Sequence, residues 1–391
     1  MAKTLTARSI ADRFQSVRWD EDSPLAIEFT TGEEAVRCRH GRFQGGRADG
    51  VEIVRVENSK MAVDVLPTRG MGIWRIESGG ISYGWQSPVD GPVHPSLVPV
   101  SEPSGLGWLS GFDELLVRCG LQSNGAPEHD DHGRLLHPLH GRIANTPADG
   151  LEIEVNEASG RLDLIGNVRE SRLFFGNLRL RSRLRIHAGS GLVEVLDDVT
   201  NEGSTATTVQ MLYHVNVGLP CLDDGSELLA AVEELAPKDK LSADEIEQWS
   251  RYGGPEPGYN ERVYFATLRS DEDHFTKTLL RNASSEHGLA VSYNTKTLPR
   301  FVLWKNTGGL EDAYVTGLEP ATNYPNVRSF EESQDRVVRL EPEETLSFRV
   351  NLQPLCSAEH VAEVTEEIKK LSSDSSAKIH TSPKPGWTPG A

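Results

Sequence analysis

What this 391-residue chain lacks narrows its chemistry first. It is short of positive charge: 40 Lys and Arg against 58 Asp and Glu leave a formal net charge of −18. A phosphate-backbone binder needs a basic face, and an anionic membrane attracts the same sign, so neither nucleic acid nor a membrane is an expected partner. Cysteine is scarce. Cys38, Cys119, Cys221 and Cys356 stand far apart with no CxxC pair, which sets aside a zinc knuckle or dithiol motif. Reduced thiols fit a cytoplasmic location. No apolar run approaches about eighteen residues, and the opening MAKTLTARSIADRF has no apolar h-region, so neither a membrane span nor an export signal is expected. Strands do not alternate with helices, which disfavours Rossmann and TIM architectures, and no fixed-period repeat is visible.

What is present is β sequence. VEIVRVE (51–57), MAVDVLP (61–67) and ISYGWQ (81–86) are short strand-type runs between turn residues. Residues 5–18 are compatible with a short helix, and 41–50 with a Gly-rich loop. Residues 87–150 lack periodicity but carry Trp108, Phe112, Leu115, Leu116 and Leu121, and so read as an ordered excursion over one face of the fold. In NLRLRSRLRIH (177–187) four arginines alternate with apolar residues, placing Arg179, Arg181, Arg183 and Arg185 on one solvated strand face. Strands continue through 192–203, 205–220 and, after an acidic stretch with a short helix over LSADEIEQWSRY, to TLSFRVNLQPL. SAEHVAEVTEEIKKL (357–371) is the longer helix, and the Ser, Pro and Gly-rich tail after it is expected to be disordered. The expected organisation is an N-terminal extension with first strands (1–50), one large β unit (51–356), a C-terminal helix (357–371) and a tail (372–391). The fold class is all-β.

Three segments set titratable groups within apolar β sequence. LHPLHGRIANTP (136–147) gathers His140, Arg142 and Asn145 beside Gly141. MLYHVNVGLP (211–220) puts His214 and Asn216 on one strand face. TGLEPATNYPN (316–326) places Glu319 between a strand and a proline. Singly, each has an ordinary structural role: a core histidine, a turn residue, a strand end.

Taken in order, together with VLPTRGMGIW (65–74), EPSGLGW (102–108) and CGL (119–121), these blocks over roughly 50–355 resemble the galactose mutarotase-like superfamily and its aldose-1-epimerase-like branch. The resemblance implies a large antiparallel β-supersandwich and a cofactor-free isomerase acting on a small sugar. By motif position it makes Glu319 the general base, His214 the general acid and His140 a second histidine near the ring oxygen. Arg142 follows by adjacency as a substrate-orienting group, with Asn145 and Asn216 as further substrate contacts. Such chemistry needs an ionised carboxylate and an imidazole raised by a neighbouring carboxylate. Trp85, Trp108 and Trp304 are candidates to pack a sugar face. Arg69, in PTRGM, has no counterpart in the pattern and is either a substrate contact or a turn residue.

Rival readings remain. EHDDHGRLLH (128–137) holds His129, Asp130, Asp131, His132 and His137 close together, as a metal-dependent sugar isomerase would need. A non-catalytic carbohydrate binder uses the same scaffold without an acid–base pair. A lyase would call on Tyr213 or Tyr324, and a thiol enzyme on Cys119. The sugar and the oligomeric state are open.

Overall fold

The computed structural model describes residues 16–372 and 376–390. Two large sheets face each other. The larger runs, in order, through Val17–Trp19, Glu34–Phe43, Glu52–Glu57, Met61–Leu66, Gly72–Ser78, Leu116–Leu121, Thr207–Val217, Tyr314–Ala321, Arg300–Thr307, Arg262–Leu268, Val232–Pro237 and Lys378–Ile379. The smaller has eight strands, with Arg161–Ser171, Asn177–His187, Val193–Asn201 and Thr345–Leu355 at its middle. Pairing is antiparallel except where Lys378 and Ile379 lie parallel to Glu234 and Leu235. This is the all-β class expected from the strand count and the large antiparallel supersandwich that the family resemblance implies, with few and short helices.

Period-two sequence explains why the sheets stack. In Thr207–Val217, Val209, Met211, Tyr213, Val215 and Val217 enter the main core between the sheets, against Leu164, Leu180, Leu184 and Val350 of the smaller one. Burying such side chains contributes roughly 1.5–3 kcal/mol each. The arginines of Asn177–His187 sit on the opposite face, as their alternation predicts: Arg185 meets Asp163 at 2.8 Å and Arg179 meets Glu202 at 2.5 Å. One charged cluster crosses the dry interior. Arg118 donates to Asp197 at 2.5 Å and to Ser182 at 2.8 Å, while Tyr213 Oη donates to the same carboxylate at 2.8 Å. Every member of that cluster is buried.

Several expectations meet their outcome here. The helix Ala358–Leu371 forms, N-capped by Ser357, and a short helix Lys240–Asp244 forms in the acidic stretch. The tail is a correction, because residues 376–390 are anchored to the sheet at several points. Trp387 is buried against Tyr324, ring centroids 5.0 Å apart, and Lys384 and His380 both reach Glu234 at 2.7 Å. Composition suggested disorder, but one aromatic, two lysines and a histidine with a shared acidic partner anchor the segment. The helix expected over 5–18 lies mostly outside the described residues; Val17–Trp19 at its end is a strand. Among the described residues, no helix is long and apolar enough to cross a membrane.

Candidate active site

The face of the larger sheet turned away from the main core carries the site. Register puts its residues in rows, because partners directly across an antiparallel ladder share a face. Val302 pairs with Glu319 and with Phe265, which pairs with Ala236. On the other side of Glu319, the pairing of Val215 with Leu318 brings His214 level with it, and His214 pairs with Val117. One row along, Trp304 pairs with Gly317 and Gly317 with Asn216. The alternation that sends Tyr213 and Val215 into the core therefore turns His214 and Asn216 outward, beside Glu319.

His214 and Glu319 are brought together. Nε2 of the histidine lies 3.2 Å from Oε1 of the glutamate, and both side chains are almost wholly buried. The contact is off-axis, so Glu319 Oε1 has no hydrogen-bond partner among the described residues. The tautomer of His214 follows from its neighbour. Asn216 Nδ2 donates to the carbonyls of Glu114 (2.9 Å) and His214 (3.0 Å), so its Oδ1 is the acceptor that faces His214 Nδ1 at 2.5 Å. Nδ1 therefore holds the proton, and neutral His214 presents a bare Nε2 to the carboxyl. Gly317 makes room for both groups. A Cβ there would lie 2.4 Å from Glu319 Oε1 and 2.9 Å from His214 Cε1.

Burial sets the electrostatics. It pushes the Glu319 carboxyl well above the usual range, helped by the Glu261 charge and opposed by Lys238. It holds His214 well below the usual imidazole value, with His140 adding to the effect. The expectation of a histidine raised by its carboxylate neighbour is thus corrected: loss of hydration lowers His214 and raises Glu319, which favours keeping a shared proton on the carboxyl.

The 87–150 excursion closes over this face, as expected. Its 3-10 turn Gly107–Gly111 delivers Trp108, and Phe112 follows. Phe112, Trp304 and Trp108 surround His214 with ring centroids 5.1, 5.4 and 6.3 Å away, and Trp85 packs on Phe112. Trp108 Nε1 is buried without a partner. His140 stands 5.5 Å from His214, centroid to centroid, on left-handed backbone at φ 56° followed by Gly141 at 73°. A Cβ on Gly141 would meet Gly120 O at 2.2 Å, so glycine is required there. His140 Nδ1 donates to Asn124 O at 2.9 Å, which turns Nε2 outward, and burial lowers its pKa to about 4.

Other candidates are placed elsewhere. Asn145 lies under the site, accepting from Arg69 through Oδ1. Arg69 is 1 % exposed and also donates to Glu114 (2.8 Å) and Gly111 O (2.6 Å), so its donors serve the protein interior. Glu114 in turn lends its carbonyl to Asn216 and Trp85. Arg142 is exposed and lines a separate cavity of about 370 Å³ with Gln122, Glu170 and Arg172. Asp130 caps its own turn, accepting from the His132 and Arg134 amides at 2.9 Å each. Among the described residues no three His, Cys, Asp or Glu converge as metal ligands. Tyr213 is committed to Asp197, Tyr324 is stacked on Phe265 at 4.4 Å, and burial raises Cys119 well above an ordinary thiol.

Sequence reasoning missed the supports. Asn124 and Asn323 exchange amide hydrogen bonds at 3.1 and 2.9 Å beneath His140. Nothing short of the fold couples positions 199 apart, although Asn323 stands in the same TNYPN stretch as the glutamate segment. Lys238 and Glu261 were also missed, for their place at the site depends on sheet register alone.

The two-sheet supersandwich is a fold shared with aldose 1-epimerase-like and galactose mutarotase-like proteins. The chain belongs to the family described as Domain of unknown function (DUF4432), which it matches over residues 48–353. It is 31% identical to a protein of Klebsiella pneumoniae, provisionally assigned as an aldose 1-epimerase, whose crystal structure superposes with a TM-score of 0.88 over 92% of this chain and 94% of that one. A galactose 1-epimerase from Lactobacillus acidophilus shares the fold at 14% identity, with a TM-score of 0.53 over 82% of this chain and 98% of the other. A galactose mutarotase-like protein of Clostridium acetobutylicum does so at 11% identity, with a TM-score of 0.54 over 78% and 95%. No curated protein matches the sequence.

Proposed function

We propose that this protein is a mutarotase of the aldose 1-epimerase type, interconverting the anomers of a sugar by acid–base ring opening. The observation that carries the proposal is the 3.2 Å approach of His214 Nε2 to a Glu319 Oε1 that has no hydrogen-bond partner of its own. A purely structural pair would be aligned and satisfied. Among the described residues Glu319 Oε1 and Trp108 Nε1 are buried without an aligned hydrogen-bond partner, and sugar hydroxyls supply one.

Ring opening needs one proton taken from the anomeric hydroxyl and one given to the ring oxygen. The C1–ring-oxygen bond then breaks to an aldehyde, C1 turns about its bond to C2, and the reverse transfers close the other anomer. The pair holds a single proton, on Glu319 at rest or on His214 after transfer across the short contact. With the proton on His214, Glu319 acts as base and His214 as acid, as the family resemblance implies. An O1 hydroxyl donating to Oε1 favours that distribution, because it stabilises the carboxylate. His140, with Nε2 turned outward, accepts a hydroxyl near the ring oxygen, and Trp304 and Trp108 pack the sugar's apolar faces. Asn216 and Asn145 position the machinery, and Arg69 supports them from below.

Anomer exchange followed by polarimetry or NMR tests the proposal. Glu319→Gln and His214→Ala are each expected to slow exchange by about 10²–10⁴-fold. Exchange at the wild-type rate in both variants overturns it.

A further inference from the structure

Lys238 follows the strand Val232–Pro237, and its amide continues the ladder by donating to Val263 O at 2.9 Å. Ala236 and Val263 both belong to the apolar cluster on the outer face, which fixes Lys238 on that face by alternation. It therefore stands in the row Lys238, Val263, Trp304, Gly317, Asn216, one step along from the row of Glu319 and His214. It is half-buried and forms no ion pair with any described residue, in a chain whose other site-proximal arginines are committed: Arg69 to Glu114, Arg262 to Glu245. Glu261, at the exposed rim, is held by Trp304 Nε1 at 2.7 Å. Three strand steps, about 14 Å of sheet, separate Lys238 from Glu319. The Trp304 ring lies between them, and the lysine stem spans part of the gap.

The geometry points to Lys238 as the receptor of an anionic substituent, a phosphate, sulfonate or carboxylate, at the end of the sugar remote from C1. This rests on the mutarotase reading and names the substrate class: the ring lies over Trp304 with its anomeric end at Glu319 and its charged end at Lys238. The charge of Lys238 also acts on both His140 and Glu319, consistent with a position near both. A half-buried ammonium with no ion pair among the described residues leaves its counter-charge to be supplied by a ligand.

The test compares glucose, glucose 6-phosphate and glucuronic acid by anomer-exchange NMR in wild type, Lys238→Met and Lys238→Arg. Wild type is expected to favour at least one anionic sugar over glucose in kcat/KM. Lys238→Met should lower that anionic-to-neutral ratio by about tenfold or more, and Lys238→Arg should keep most of it. The ratio cancels any effect of the lost charge on the catalytic pair. A wild type without anionic preference, or a ratio unmoved in Lys238→Met, overturns the assignment. Should no sugar be turned over, the mutarotase reading fails by itself, and calorimetric titration of glucose 6-phosphate and glucuronate into wild type and Lys238→Met still decides. Equal affinity in the two proteins, or no binding to wild type, overturns the anion receptor.

Discussion

In the proposed reaction, Glu319 and His214 run acid and base chemistry from a single proton. Burial raises the carboxyl and lowers the imidazole, so the one-proton state spans a wide pH range. Activity should therefore fall at low pH only when His214 takes a second proton, below the ordinary imidazole value of about 6.5, and at high pH only when the raised Glu319 gives up the shared one. A kcat/KM profile with its acid limb centred at or above about 6.5 would contradict this. Gly317 is the second residue on which the pair depends. Gly317→Ala drives a methyl toward both reacting groups and should cost at least about 10²-fold in kcat/KM, while urea denaturation shows a far smaller change than a core cavity would give. An active Gly317→Ala protein would mean that the pair is not where the reaction occurs. The two residues proposed as acid and base were legible from their segments because the ordered set of blocks resembles a family. Their protonation was not, since burial is a property of the packed sheet and not of the strand sequence.

Among elements, the strands were easier to read than what lies between them. Strict alternation in Asn177–His187, and in Thr345–Leu355 as far as Val350, marks inner and outer faces. The 87–150 excursion was recognisable by its aromatic anchors, but the sequence does not say that Asn145 faces Arg69 or that Arg142 opens onto another cavity. Lys238 and Glu261 stayed invisible because cross-strand partners are chosen by sheet order. The tail misled, since Ser, Pro and Gly dominate its composition while Trp387 decides its fate. Trp387 packs on Tyr324, and its carbonyl accepts from Asn326 at 2.9 Å, in the segment whose Asn323 braces Asn124 and hence His140. Trp387→Ala should lose about 3–5 kcal/mol in urea unfolding and weaken anomer exchange as well. Unchanged stability would show that the tail is not anchored there.

For the molecule as a whole, the Arg118–Asp197 pair joins the two sheets through a dry interior. Asp197→Asn leaves a buried guanidinium short of its counter-charge and should cost about 3–5 kcal/mol by chemical denaturation. The double variant Arg118→Met, Asp197→Leu should recover part of that loss, because no unpaired charge then remains. A double variant no more stable than Asp197→Asn would place the energy elsewhere. The seat of Lys378 and Ile379 beside Glu234 and Leu235 has a further result. The last long strand of a sheet this wide would otherwise bare a row of amides and carbonyls onto which foreign chains could zip. Glu234, held near pKa 2 by Lys384, His380 and Lys378, keeps its grip in all but strong acid. By laying Lys378 and Ile379 along that border, the protein occupies the middle of the strand onto which a foreign chain would otherwise add.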